Sequence, residues 1–598
     1  MNSCRGLPTR GLLLLAFLSI AGCGGGGYGD SSPPPPPADT TAPTVSAVQA
    51  PAGTVNRTAT LSVTASDNVG VAMVRFFVDG TLLASDNTAP FSVDWDTSGE
   101  TEGDHVLHAE AEDAAGNMTR SADATVTVRN MVQFDVVLSG EEEVPPTGSQ
   151  ATAQATLIIH LVTGAVEGEL TINGLTATAA HIHDAFAGVN GSILVPLDQD
   201  PGDPSRFTVP AGAMLDGAGV DLLLAAALYV NVHTAANPGG EIRGQILPEG
   251  FVLRFTDLAG AGENPRVDTP ARGRAAVTLD TASGALVVQA QVEGLDDANV
   301  AHVHEAYAGA NGPVLVPLSK DPMDSGRWFV ENGMLNAAGL DAYAAGRLYV
   351  NVHSPANPGG EIRGQIIPEG ITLLLAELSG AQEVPAVDTR ADGLAALTLD
   401  EANALLTLHL NTRRLDDAIA AHLHSAYAGV NGDIAFGLIQ DGSNPAHWFA
   451  EEQTLTQAQL DALLAGATYV NAHNPANPAG HIRGQVIPER IVFAFGRLEG
   501  DQEVPPVASA AGGTFAVTVD PDALTLVAHA NTTGADDAVA AHLHDAYAGT
   551  NGGVIIPLAQ EDPNNAAHWS AVGQAIDANQ LAAIRAGRYY ANVHTPAN

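Results

Sequence analysis

Apolar and polar residues alternate in short runs along most of this chain. Between residues 41 and 129 such runs recur at Thr60–Thr64, Val74–Val78, Phe91–Trp95, His105–Ala109 and Ala124–Val128. Each is closed by a turn signal such as Asp79-Gly80, Ser98-Gly99 or Gly116-Asn117. A period of two puts alternate side chains on opposite faces of a strand. Many such runs separated by turns predict a β-sandwich for this first unit.

From residue 133 onward the pattern is an internal repeat, present four times. Each copy opens with a related string: Leu138-SGEEEVPP, Leu258-AGAGENPR, Leu378-SGAQEVPA and Leu498-EGDQEVPP. Each then carries His-x-His, followed by an Ala-Tyr-Ala-Gly-like stretch in which Phe186 replaces Tyr in the first copy. A hairpin-type Asn-Gly comes next: Asn190-Gly191, Asn311-Gly312, Asn431-Gly432 and Asn551-Gly552. A short helix is expected after that, for example Leu335 to Ala345 closed by Gly346, a favourable residue just past a helix end. A Tyr-Val-Asn-Val-His-type strand follows, and three copies finish with Asn-Pro-(Gly/Ala)-Gly-(Glu/His)-Ile-Arg-Gly-Gln. The expected architecture is all-β: tandem sandwich or barrel domains, each with one short helix, at 133–249, 251–369, 371–489 and 491–598. The last is expected to lack its final strand, because the sequence reaches Asn598 before the Gly-Gly return.

The first residues read as an export signal. Arg5 and Arg10 precede an apolar run, Gly11–Ile20, that is too short to span a bilayer as a helix. Ile20-Ala21-Gly22-Cys23 resembles the lipobox of bacterial lipoproteins. That resemblance implies removal of residues 1–22, a lipid on Cys23, and a cell-envelope or cell-surface location, at the outer membrane if the host has one. Residues 23–40, rich in Gly and Pro, suit a tether. The only cysteines are Cys4 and Cys23, so the processed chain would have neither a disulfide nor a free thiol. Its domains must be held by their cores, which about 120 residues allow. The net charge of −43 repels nucleic acid and anionic lipid headgroups and favours cations. The partners expected are therefore a membrane, through the lipid, and an extracellular or envelope ligand that the sequence does not identify.

Two further resemblances organise the rest. The strings ASDNVGVAMVRFFVDG and AEDAAGNMTRSADATVTV resemble bacterial Ig-like domains, which implies a spacer or adhesive module over 41–129. The ordered set of EVPP opening, His-x-His, Tyr-Val-Asn-Val-His and Asn-Pro-Gly-Gly-Glu-Ile-Arg-Gly-Gln resembles the chordin-type (CHRD) domain, four times over. That family implies an extracellular domain and no particular activity.

Strand geometry nominates a site. In His302-Val303-His304 both imidazoles share a face and Val303 points the other way; Ile182, Leu423 and Leu543 take the apolar place in the other copies. In Tyr349–His353 the valines turn inward, and Tyr349, Asn351 and His353 share the outer face. If the two strands are neighbours, three imidazoles converge: His181, His183 and His233; His302, His304 and His353; His422, His424 and His473; His542, His544 and His594. Three neutral imidazoles can hold Zn²⁺ or Cu²⁺. His302-Val-His304-Glu305 also resembles the copper-ligating string of copper/zinc superoxide dismutases, over four residues only. Antiparallel return of the chain would bring Glu241 or Glu361 beside the last histidine as an orienting carboxylate, with His481 of the third repeat as a fourth nitrogen ligand. The alternative is that the histidines only line a sheet face, bonding to Tyr, Asn and Arg. The remaining histidines (His105, His108, His160, His409, His447, His529, His568) read as ordinary surface or core. Glu142, Glu143, Glu263, Glu383 and Glu503 read as solvated carboxylates. No Gly-x-Ser-x-Gly, His-Glu-x-x-His or P-loop is present. Two readings stand at this point: a non-enzymatic scaffold displaying binding modules, with no certain cofactor, and a zinc or copper protein.

Overall fold

The computed structural model describes residues 38–562 and 565–596. The export segment, Cys23 and the tether up to residue 37 lie outside the described residues. The chain forms two units, divided between Asn130 and Met131.

In the first unit, the antiparallel pair Thr58–Val63 and Phe91–Asp96 faces a larger sheet built on Gly103–Asp113 and Val71–Val78. The inward residues of the alternating runs, Leu61, Phe76, Trp95 and Leu107, are almost completely buried. This is the sandwich that the period of two predicts.

The second unit holds the repeats, and the second repeat gives their plan. Its strands are β1 (Phe251–Ala259), β2 (Arg272–Asp280), β3 (Ala285–Glu293), β4 (Val300–Glu305), β5 (Val314–Lys320), β6 (Arg327–Met334), β7 (Leu348–His353) and β8 (Ile362–Ile366). They close into a barrel in the order β1-β2-β3-β6-β5-β4-β7-β8, with Ala259 of β1 paired to Arg363 of β8. Closure leaves no open sheet edge. Val288, Val303, Val350 and Ile362 fill the interior and are fully buried. The helix α1 (Ala337–Ala344) starts where the Asn336 side chain accepts a hydrogen bond from the Gly339 amide. It ends at Gly346, whose φ of +69° suits a residue without Cβ.

The other repeats vary this plan. The first divides into sheets of five and four strands, and the third forms one nine-stranded sheet. In the fourth, Tyr589–His594 pairs with Ala540–Asp545 and, among the described residues, with no other strand. Its residues are half-buried, whereas every residue of β7 is buried.

Consecutive repeats pack through the Ala-Tyr-Ala-Gly stretch. Gly309, with φ of +85°, lies against His409 of the next repeat, and its carbonyl accepts a hydrogen bond from Asn411 Nδ2 at 2.8 Å. Gly429 and Asn531 repeat this contact at the following junction.

Candidate metal centre

β4 and β7 pair antiparallel with His302 opposite Asn351, His304 opposite Tyr349 and Val300 opposite His353. The same register recurs in every repeat. Val303, in the middle of the motif, points into the core, so His302 and His304 emerge together on the outer face beside His353. In each repeat one ring nitrogen from each of the three histidines lies within 4.8 Å of the other two. The outer face is partly shielded from solvent, with the first histidine of each trio half-buried. Tyr349, Asn351 and His353 are buried although they point away from the barrel interior.

Backbone carbonyls fix which nitrogen faces the centre. His304 Nδ1 lies 3.0 Å from the Gly312 carbonyl, and His353 Nδ1 lies 3.1 Å from the Pro358 carbonyl. A carbonyl only accepts, so each Nδ1 carries the proton and each Nε2 presents a lone pair. The first and third repeats repeat both contacts, and His544 repeats the first. In the first repeat His181 Nδ1, His183 Nε2 and His233 Nε2 are all buried with no hydrogen-bond partner. The equivalent atoms of His542, His544 and His594 are in the same state. In the second and third repeats the first histidine meets the last, at 3.2 Å for His302 with His353 and 2.9 Å for His422 with His473, while His304 Nε2 and His424 Nε2 have no partner.

Burial also disfavours the charged form of ten of these rings. It pushes His181, His353 and His473 down to about 4, and it lowers His183, His233, His302, His304, His422, His424 and His542. Leaving a buried polar atom unpaired costs about 1–3 kcal/mol. Several lone pairs aimed at one point are an arrangement that a cation relieves. Neutral imidazoles held by carbonyls at their other nitrogen are the usual form of metal-ligating histidine.

A column of side chains holds the middle imidazole. Tyr349 stacks on His304 with ring centroids 4.9 Å apart and planes 12° from parallel. Arg363 lies over the other face of Tyr349, 3.5 Å from its centroid. Its Nη1 and Nη2 donate to the carbonyls of Ala310 and Tyr307, at 2.6 and 3.0 Å. The Arg243–Tyr229–His183 and Arg483–Tyr469–His424 columns match it.

Known proteins give this arrangement its family. A CHRD domain model matches residues 134–246, 255–366, 374–486 and 495–598, well over half of the chain. The chain belongs to the CHRD-domain family. A bacterial Ig domain model matches residues 43–109. Chordin of Xenopus laevis is 30% identical over 277 residues, covering 42% of this chain. The chain spans 28% of chordin's length.

Within the CHRD domains several expectations need correction. Asn311-Gly312 is not a tight hairpin turn that needs a positive φ. A Cβ on Gly312 would collide with the Glu305 carbonyl, which leaves room only for glycine. The Gly312 amide donates to Tyr349 Oη at 3.2 Å, and Asn311 Nδ2 donates to the Asn264 carbonyl of the opening motif. Glu241 and Glu361 do not orient the last histidine. Glu361 accepts from Ser354 and from Asn357 Nδ2, and its other oxygen accepts from Thr269 Oγ1 at 2.8 Å. Glu241 is held in the same way by Thr234 and Asn237. These carboxylates staple the Asn-Pro-Gly-Gly turn, and the Pro238 and Pro358 carbonyls occupy the histidine Nδ1 instead. His481 takes the staple's place, between Thr389 Oγ1 at 3.0 Å and Asn477 Nδ2 at 2.8 Å, so neither of its nitrogens is free for a metal.

Three of the five glutamates singled out in the opening motif are not solvated either. Glu143, Glu263 and Glu383 are buried under the asparagine of the Tyr-Val-Asn-Val-His strand, as in the 2.8 Å bond from Asn471 Nδ2 to Glu383. Burial raises Glu143 and Glu263 to about 7 and Glu383 to about 8, against the pull of the neighbouring arginine. No spacing rule brings these residues to that strand, because they lie 88 positions away along the chain.

Proposed function

We propose that this protein is a multidomain binding module whose four CHRD domains each hold one transition-metal ion, Zn²⁺ or Cu²⁺, on three histidines. The observation that carries this reading is the convergence of three ring nitrogens in each repeat, all three buried without partners in the first and fourth repeats, with a carbonyl holding the opposite nitrogen of the middle histidine in every repeat and of the last histidine in the first three. The −43 charge of the chain raises the local concentration of cations around it. Export and a lipid on Cys23 would tether the array to an envelope membrane and display it to an extracellular or envelope ligand. Four copies on one chain suit multivalent capture.

Elemental analysis of the purified, exported protein tests the metal reading. It calls for a fall of about one zinc or copper ion per repeat when His183, His304, His424 and His544 are replaced by alanine. A metal content that those substitutions leave unchanged, or no metal in the unaltered protein, contradicts it. Cys23→Ser tests the anchor separately: the protein should leave the membrane fraction without detergent, and an unchanged membrane fraction contradicts the lipid.

A further inference from the structure

On the wall that, in the second to fourth repeats, meets the preceding repeat, one position changes its chemistry along the chain. Strand register places Thr171 opposite Arg206, Gln291 opposite Arg327, Asn411 opposite His447 and Asn531 opposite His568. Two residues earlier on the same strand face stand Glu169, Gln289, His409 and His529. An acidic residue accompanies each pair: Asp200, Asp321, Asp441 and Glu561.

The first two repeats satisfy that acid with a built-in cation. Arg206 bonds to Glu169, with Asp200 nearby. Arg327 donates to Asp321 Oδ2 at 2.7 Å and to Gln289 Oε1 at 2.9 Å. The third and fourth repeats have two imidazoles instead of the arginine and its partner. His409 Nδ1 lies 3.0 Å from His447 Nε2, and His529 Nδ1 lies 3.2 Å from His568 Nε2. The acid takes the far nitrogen, at 3.1 Å for His447 Nδ1 with Asp441 and 3.3 Å for His568 Nδ1 with Glu561.

In the third repeat two protons do not satisfy the two rings; the fourth repeats the geometry, with ligand atoms of His529, His568 and Glu561 within 4.8 Å of one another. The carboxylate fixes the proton of His447 on Nδ1, so Nε2 offers a lone pair to His409. If His409 carries its proton on Nδ1 to meet that lone pair, its Nε2 is left bare. That atom is buried, has no hydrogen-bond partner and lies 3.5 Å from the Glu451 carboxylate. If the proton moves to Nε2 to face Glu451, two lone pairs meet at 3.0 Å. A cation between Nδ1 and Nε2 removes the conflict. It leaves the Asp441–His447 contact as the carboxylate–imidazole arrangement that orients a metal ligand.

We propose that the third and fourth repeats each carry a second divalent transition-metal site, bound by His409 Nδ1 and His447 Nε2 and by His529 Nδ1 and His568 Nε2, where the first two repeats hold an arginine. Water completes the coordination, so these sites bind more weakly than the three-histidine centres. The proposal does not depend on those centres, which share no residue with the pairs.

The test uses Zn²⁺ and the full chain, counted by mass spectrometry after desalting. The background is a chain whose four trios have been broken by His183→Ala, His304→Ala, His424→Ala and His544→Ala, with folding checked by circular dichroism. In that background about two zinc ions per chain should remain. They should disappear when His409→Gln, His447→Arg, His529→Gln and His568→Arg install the second repeat's own residues, a change that restores a satisfied pair and so preserves the fold. The same four changes in the chain with intact trios should remove about two zinc ions and leave the rest. Zinc uptake that the glutamine and arginine substitutions leave unchanged in either background overturns the proposal, as does a folded trio-free chain that holds no zinc.

Discussion

Arg363 and Tyr349 form the supporting column of the second repeat, with the guanidinium carbon 3.5 Å from the ring centroid and the far face of the ring stacked on His304. Arg363 is almost fully buried, and burial brings it down to about 10. It stays charged at neutral pH, held by four oxygen acceptors and by the attraction of Glu263. The residue therefore ties the Ala306–Gly312 loop, the tyrosine and the imidazole into one assembly.

Replacing Arg363 with methionine should remove that tie. The carbonyls of Tyr307 and Ala310 lose their donors, and buried unpaired groups cost about 1–3 kcal/mol each. The second repeat should unfold at least about 2 kcal/mol more easily in denaturant and lose its metal ion, while the other repeats keep theirs. Unchanged stability and unchanged metal content would show that the column is packing alone.

Gly312 offers a sharper test of the loop that holds His304. An alanine there would drive its Cβ into the Glu305 carbonyl, moving the carbonyl that fixes His304 Nδ1. Gly312→Ala should lower the metal count by about one ion per chain. Gly359→Ala, where an added Cβ meets nothing within 4 Å, should change neither metal content nor melting temperature. Equal behaviour of the two variants contradicts the assigned role of Gly312.

The alternation of residues made the strands and the face of each histidine legible in the sequence, and the four trios followed on the condition that the two strands are neighbours, which the pairing of β4 with β7 meets. Val303 between two histidines and Val350 between Tyr349 and Asn351 leave one choice of inner face. What surrounds the trio was not legible, because it comes from distant segments. Glu263 reaches Asn351 across 88 residues, and the proline carbonyl that holds His353 has no side-chain signature. The His409–His447 and His529–His568 pairs escaped notice because the same position is Glu with Arg in the first repeat and Gln with Arg in the second. A motif defined by what the copies share passes over a site where they differ.

Buried Glu383 gives the third repeat a pH dependence with a defined sign. Its carboxyl is raised from the ordinary glutamate value to about 8, chiefly by burial. The folded state therefore holds a proton that the unfolded chain releases at lower pH. The resulting stabilisation is full below about pH 4.5 and is lost as pH rises through about 8. The histidines that burial lowers stabilise the fold as pH rises towards 6.5, so the glutamate shows above that value: thermal unfolding of the third repeat should shift to lower temperature between about pH 6.5 and pH 8, and Glu383→Gln should flatten that shift. A melting temperature that rises across this range contradicts a protonated Glu383.

X-ray absorption at the metal edge reads the ligands of the three-histidine centres. The sample is the full chain carrying His409→Gln, His447→Arg, His529→Gln and His568→Arg, loaded with Zn²⁺ and desalted, so that only the trios contribute. The account predicts a nearest shell of three imidazole nitrogens at about 2.0–2.1 Å, with the outer-ring scattering of histidine and one further light ligand. A shell made only of oxygen, or fewer than two imidazoles per zinc, would contradict the assignment of the His-x-His and Tyr-Val-Asn-Val-His strands as a metal centre.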